Sequence, residues 1–526
     1  MIKILDCTLR DGGYYNNWNF NKKFVERYLL AISKNNVNTV ELGFRFILKD
    51  KFKGPYAYTT EKFINSLKLP KNLNYSVMIN ANDYIDNPEL IKSNFINKNK
   101  SKIELVRIAI NFSQAHLGKK ITTELKKLGY KVGFNLMQPH NKSDLEYTNI
   151  AKEIYSWKTV DILYFADSLG CLNPQEVNKI IIKLKRNWKK DLGFHGHDNR
   201  YLALSNSLKA IENEDLNYID STMTGMGRGA GNLQTEVILT ELNRLSKNNS
   251  SLILFLKCLR EFKILKKKFN WGSNLFYQLA AKKFIHPSYI QNLLADNRYN
   301  DGEINQIVTK LGSNKSSSFS IEKLNTIIYS IPKKNELDLK FLKAKEILIL
   351  GNGVSVKDNI EKIKKFIKNK NNLKTFCLNI NQYFPNSLAS ATIVSHPSRI
   401  MFDKDKYLKL KQYLIMPSNS IINNKKFNKN NKLINYDLMV NKNNFLSYKS
   451  FCKITNSLVF GYALAFITQL NAEKIYLIGI DGFEDEPKKN DELNQILNLF
   501  KKNYPKISIE TLVRSKLKIK YKNLLK

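Results

Sequence analysis

The stretch "LDCTLRDGGYYNNWNF", residues 5–20, begins as an apolar run of β type and breaks off at Arg10, Asp11, Gly12 and Gly13. Taken alone, Arg10 and Asp11 read as a surface ion pair before a glycine turn as readily as they read as chemistry. The run is the first of a series: "IKILDCTLR" (2–10), "NTVELGFRF" (38–46), "NLNYSVMIN" (72–80), "IELVRIAINF" (103–112), "KVGFNLM" (131–137), "DILYFADS" (161–168), "LGFHGHD" (192–198) and "NYIDSTMTG" (217–225). Lys-rich amphipathic stretches such as "FVERYLLAISKN" and "PQEVNKIIIKLKRN" lie between them. Strand–helix alternation implies a parallel sheet, and eight repeats predict a closed (β/α)8 barrel, the TIM-barrel form of the α/β class.

A barrel should carry its functional groups at the carboxyl ends of its strands. Those ends read Arg10 and Asp11, Glu41 and Arg45, Asn80, Arg107, Asn135, Asp167 and Ser168, His195 and His197, and Thr222. Polar or ionisable residues close nearly every strand. His195 and His197 are two of only six histidines in the chain. Residues i and i+2 of a strand share a face, so both imidazoles converge on one point. They either cap the mouth through hydrogen bonds or hold a metal. With Asp11 from strand 1 they make a two-His, one-carboxylate set suited to Mn²⁺ or Mg²⁺. Arg10 stands where negative charge would develop.

The segments "LDCTLRDGG", "GFHGHDN" and "GMGRGAGNLQTE" (225–236) resemble the signature segments of the DRE-TIM metallolyases, the HMG-CoA lyase-like family that includes 4-hydroxy-2-oxovalerate aldolase. The resemblance covers roughly residues 1–300. It implies Asp11, His195 and His197 as metal ligands, Asn232 at or near the metal, Arg10 as the group that steadies an enolate, and Glu41 as the family's strand-2 acid. It implies a pyruvate-like 2-oxo acid and an aldehyde as substrates and a homo-oligomer as the assembly. The family's alternatives are Claisen condensation with, or lysis of, an acyl-CoA; a non-catalytic binding protein is a third reading. One departure stands out: the aldolases carry a histidine just after the Arg-Asp-Gly motif, where this chain has Tyr14 and Tyr15. Tyr14 is therefore expected as proton donor or water-positioner. Arg45, Arg107, Asn135, Ser168 and Tyr289 are expected to line the substrate pocket. The glycines at 225, 227, 229 and 231 form either a phosphate cradle or a tight turn near the metal. No strand end presents a lysine, which argues against a Schiff base.

The barrel is expected over 1–244, a helical annex over 245–330, a linker over 331–343 and a Rossmann-like α/β domain over 344–526. "ILILGNGVSVKD" and "GYALAFITQLNAEKIYLIGID" resemble elements of bacterial sialyltransferases and of 6-hydroxymethylpterin pyrophosphokinase-like proteins. That resemblance implies a nucleotide or nucleotide-sugar pocket at Gly351, Asn352, Gly353, Ser355 and Asp481, and a place for the whole protein in surface-sugar biosynthesis.

The net charge of +39 over 526 residues is spread through lysine-rich helices, with no dense basic arm, so no nucleic-acid partner is expected. Five scattered cysteines argue for a reducing compartment and against a disulfide frame. Acidic Asp6 and Asp11 interrupt the start, and no apolar run is long enough to span a bilayer. A cytoplasmic protein without membrane contact is the expectation.

Overall fold

The computed structural model describes residues 2–47, 53–296, 299, 301–314, 316–329, 332, 337–420, 427, 432–441, 444–484 and 487–523. Two compact units emerge: residues 1–292 with 312–318, and residues 293–311 with 319–526. Part of the linker expected at 331–343 lies outside the described residues. Among the described residues no helix is long and apolar enough to cross a membrane.

The first unit is a closed parallel barrel of β1 (Lys3–Asp6), β2 (Thr39–Phe44), β3 (Asn74–Asn80), β4 (Leu105–Asn111), β5 (Lys131–Met137), β6 (Ile162–Ala166), β7 (Asp191–His195) and β8 (Tyr218–Ser221). The ring closes at β1, where Leu5 stands opposite Thr39 of β2 and Asp220 of β8. Apolar residues fill both faces of the strands because helices cover the outside and side chains fill the inside. The outer helices form where the sequence caps them. Pro174–Lys185 starts at a proline, with Asn173 and Glu176 making a reciprocal capping box, and buries Val177, Ile180, Ile181 and Leu184.

The barrel interior has two levels. Leu5, Cys7, Leu105, Ile162, Tyr164 and Tyr218 form an apolar plug. Against it lie the buried charges Glu41, Arg107 and Asp220. Glycines make the room. A Cβ on Gly193 would meet Tyr164 Cε1 at 2.2 Å, and one on Gly133 would meet Arg107 Cγ at 2.9 Å.

Strand 1 is shorter than the apolar run suggests. It ends at Asp6, whose carboxylate accepts the Thr8 N–H at 2.9 Å, and Thr8–Asp11 form one helical turn. Arg10 and Asp11 therefore belong to a helical turn, not to a strand end. Gly12 and Gly13 do not serve as a reversing turn either. Gly12 has helical φ (−65°), and a Cβ there would lie 2.6 Å from the Thr8 carbonyl oxygen; one on Gly13 would lie 2.0 Å from Trp18 Cδ1. Close packing requires both glycines.

Residues 245–330 carry the helices Asn249–Phe269, Leu275–Lys282, Pro287–Leu294, Asp301–Ser313 and Ile321–Ile328, and divide between the two units. The second unit contains β9 (Glu346–Leu350), β10 (Leu373–Leu378), β11 (Ala391–Ile393), β12 (Tyr413–Met416), β13 (Leu433–Asn435), β14 (Asp437–Val440), β15 (Leu446–Ser447), β16 (Phe451–Ile454), β17 (Lys474–Ile478), β18 (Ser508–Thr511) and β19 (Lys520–Tyr521). Eight of them form a parallel sheet in the order β13-β12-β11-β10-β9-β17-β18-β19, and β14-β16-β15 make a small separate sheet. The helix Val459–Ile467 is buried almost all round, in keeping with its continuous apolar sequence.

Candidate metal centre

The helical turn after β1 delivers Arg10 and Asp11, only 6% and 2% exposed, to the same place as His195 at the end of β7. Asp11 Oδ2 lies 3.3 Å from His195 Nε2 and accepts a hydrogen bond from Asn232 Nδ2 at 2.7 Å; Oδ1 pairs with Arg10. His197 lies just beyond β7, bridged through its backbone to Asn232, with its ring centroid 4.8 Å from that of His195. Strand 7, the turn after strand 1 and the glycine loop after strand 8 thus converge.

Several polar atoms here are buried without a hydrogen-bond partner: His195 Nε2, His197 Nδ1, Asn232 Oδ1 and Arg10 NH2. Buried polar groups are almost always satisfied, so a cluster of exceptions marks a place built for something more. Cys7 Sγ, an Asp11 oxygen and a His195 nitrogen lie within 4.8 Å of one another, the spacing of a metal-ligating group. Burial pushes the Cys7 thiol well up, which favours its protonated form.

Charges stabilise one another around this point in a closed loop. Arg10 Nε donates to Glu41 at 2.7 Å; the other Glu41 oxygen lies 3.4 Å from Arg107 NH1. Arg107 NH2 reaches Asp220 Oδ2 at 2.5 Å, and that oxygen meets His195 Nδ1 at 2.9 Å. His195 faces Asp11, and Asp11 pairs with Arg10, which closes the circuit. Each buried charge has an opposite partner, the condition for tolerating charge inside a protein. Burial raises the Asp11 carboxyl, but Arg10 and His195 more than offset it and hold it well below the usual range. Burial lowers His195, and the carboxylates of Asp11 and Asp220 raise it further than burial lowers it. For His197 burial and the charge of His195 outweigh the Asp11 carboxylate and drive it well below its ordinary value. One imidazole is thus neutral and one is oriented by a carboxylate on its far nitrogen.

Other residues singled out in the sequence stand elsewhere. Arg45 is spent on Glu61 (2.9 Å) and the Thr59 carbonyl (2.7 Å), and its guanidinium covers the Phe95 ring. Arg107 is fully buried between Glu41 and Asp220, 4.1 Å over the Tyr164 ring, so it holds protein carboxylates and not a ligand. The Tyr289 hydroxyl donates to the Ser318 carbonyl at 3.0 Å, and Ser168 Oγ accepts the Gln138 N–H at 3.2 Å. Asn135 keeps a buried, unpartnered Oδ1. Tyr14 is 37% exposed and packs edge-on against Trp18 and Phe44, whereas Tyr15 donates to the Gly229 carbonyl.

Asp220, which bonds both His195 and Arg107, is the residue of this cluster that sequence reasoning missed. Its signal was present: an acid inside the apolar strand "NYIDS", two residues before the strand end read at Thr222. The glycine loop is a tight turn, with Gly225, Gly229 and Gly231 at φ +67°, +66° and +83°. A Cβ on Gly227 would meet Asn232 Nδ2 at 2.7 Å, so the loop's job is close approach of backbone to the centre.

In the second unit, β9 ends at the Gly351-Asn352-Gly353 turn. Asp481, after β17, fills the space an anion would need there. Its carboxylate accepts the Ser355 N–H at 3.0 Å and the Ser355 hydroxyl at 2.5 Å. Asn352 and Asn381 bond backbone carbonyls across the same junction. Of the five expected nucleotide contacts, Ser355 and Asp481 bind each other, while Gly351, Asn352 and Gly353 bond backbone carbonyls of the neighbouring strand ends.

Comparison with known proteins agrees with the barrel. The family model described as HMGL-like matches residues 92–256. A 4-hydroxy-2-oxovalerate aldolase from Geobacillus genomosp. 3 is 32% identical over 246 residues, 46% of this chain and 71% of that one. An oxaloacetate decarboxylase from Mycobacterium tuberculosis is 25% identical over 243 residues, 46% of this chain and 70% of that one. The crystal structure of the N-terminal domain of a Bacteroides vulgatus protein named as an aldolase covers 58% of this chain and 99% of its own, with 32% identity and a TM-score of 0.52.

Proposed function

The chain belongs to the HMGL-like family, and from that premise we propose that it is a divalent-metal-dependent carbon–carbon lyase, making or cleaving the bond between a pyruvate-like 2-oxo acid and an aldehyde. The observation that carries this reading is the set of buried, unsatisfied ligand atoms around Asp11, beside a guanidinium nitrogen that is also unsatisfied. Asp11, His195 and His197 would hold the ion, with Asn232 alongside. Their mixed carboxylate and imidazole donors suit Mn²⁺ or Mg²⁺.

When bound, the ion supplies Lewis-acid polarisation of the keto oxygen of the 2-oxo acid. The chain's own groups do the rest. Arg10, fixed at Nε by Glu41 and at NH1 by Asp11, offers its unpartnered NH2 to the oxygen on which enolate charge develops. A donor held in place beforehand costs no reorganisation as that charge appears. Asp220 fixes His195 through Nδ1, so that Nε2 faces Asp11. Tyr14, at the partly open mouth, donates a proton to the aldehyde oxygen as the new bond forms and takes it back in cleavage. The second unit we read as Rossmann-like, because its strand order reverses between β9 and β17.

The test is metal analysis combined with solvent exchange at the pyruvate methyl group. Protein loaded with Mn²⁺ or Mg²⁺ exchanges methyl protons for deuterium; chelator-treated protein does not. A protein that takes up no divalent ion, or takes one up without exchange, overturns the reading.

A further inference from the structure

Arg228, on the glycine loop, has no assigned task. Its guanidinium lies 5.4 Å over the ring of Tyr14, and its Nε is buried without a hydrogen-bond partner. Among the described residues no carboxylate pairs with this partly buried arginine, whereas the buried Arg10, Arg45 and Arg107 of the barrel each have one. Arg228 directly follows Gly227, which packs against the Asn232 side chain of the centre. The loop that carries it is fixed: Gly231 N–H donates to the Arg228 carbonyl, the Tyr15 hydroxyl donates to the Gly229 carbonyl, and Gly229 packs against Tyr277 and Pro287. Tyr14 also packs on Trp18, and the Lys53 ammonium lies 4.8 Å from that indole. A held cation therefore stands on an aromatic cluster beside the metal centre that also carries a second cation.

Stacking on one aromatic ring leaves the planar fork of an arginine free to take two oxygens of a carboxylate or phosphate. We propose that Arg228 is an anion-binding subsite for the partner carbonyl compound, so that the aldehyde bears a carboxylate or phosphate group away from its reacting carbon. This rests on the aldolase reading above and narrows it from any aldehyde to an anionic one. Arg10 serves the charge that develops during reaction; Arg228 serves the charge the substrate brings with it.

The experiment compares kcat/KM for matched aldehydes with pyruvate: propanal against succinic semialdehyde for the carboxylate arm, glyceraldehyde against glyceraldehyde 3-phosphate for the phosphate arm. Wild type should favour the charged member of one pair by about tenfold or more, the usual worth of a hydrogen bond to a charged group. Arg228→Ala and Arg228→Gln should bring that pair near parity through a raised KM, with Arg228→Lys keeping part of the preference. The arm that shows the effect identifies the anion. Wild type without a charge preference in either pair, or with a preference that survives both substitutions, overturns the subsite. Failure of wild type to exchange pyruvate methyl protons instead overturns the aldolase reading and the subsite with it.

Discussion

The barrel mouth and the β9–β17 junction of the second unit are made of similar parts. Each sets a glycine-rich turn and an acid at the carboxyl ends of parallel strands. At the junction Asp481 is satisfied by Ser355, and the neighbouring asparagines are satisfied by backbone carbonyls. At the mouth His195, His197, Asn232 and Arg10 each keep a buried polar atom without a partner. A glycine turn with its polar groups paired internally is a joint. The same turn with several donors and acceptors left over at one point is a candidate site, because a ligand there would repay the cost of leaving them unpaired.

The strongest way to break this contrast is to remove the groups that gather at the mouth. Asp11→Ala and His195→Ala should abolish metal uptake and methyl exchange, by about a thousandfold or more, the scale of losing a metal-assisted step; elemental analysis and deuterium incorporation read both. Arg10→Ala should slow exchange about 100- to 1,000-fold, as removal of a charge-stabilising donor does, while metal stays bound. Loss of the metal in that variant would contradict the role given to Arg10. Asp220→Asn should weaken metal affinity about 10- to 100-fold, since it frees the far nitrogen of His195; chelator competition measures this.

At the junction the same logic predicts a structural effect only. Asp481→Ala should cost about 1–3 kcal/mol in denaturant unfolding, because the Ser355 donors lose their acceptor, and should leave methyl exchange unaltered. The smallest effect sits at Asp167, after β6. Burial raises its pKa to about 6, despite bonds accepted from the Cys171 and Leu172 amides. The folded state thus holds a proton that the unfolded chain, with an ordinary carboxyl near 3.8, releases more readily. This favourable term is complete below the unfolded value and is lost as pH rises through about 6. Measured against Asp167→Asn, wild type should gain stability as pH falls from 7 to 5. A stability difference that does not vary with pH would remove Asp167 from the account.

Composition and pattern carried the reading a long way in the barrel and less far beyond it. Eight β-rich runs at helical spacing specify a parallel ring because each strand is buried on both faces, and continuous apolar runs are visible in one dimension. The pairs His195 and His197, and Arg10 and Asp11, were legible for the same local reason: two chemical groups on neighbouring residues at the end of an apolar run. β13 to β16, "LIN", "DLMV", "LS" and "FCKI", are two to four residues long, too short to stand out from loops, and they went unforeseen.

Which charges meet is a different kind of fact. Arg107 and Asp220 lie 113 residues apart, and Asn232 and Asp11 lie 221 apart, yet each pair bonds directly. Asp481 and Ser355 cancel each other across 126 residues. By itself the sequence determined the barrel and the polarity of its strand ends, since periodicity and residue chemistry are local properties. Only the tertiary structure decided which polar groups are consumed by one another and which are left to bind, because satisfaction of a buried group depends on its neighbours in space.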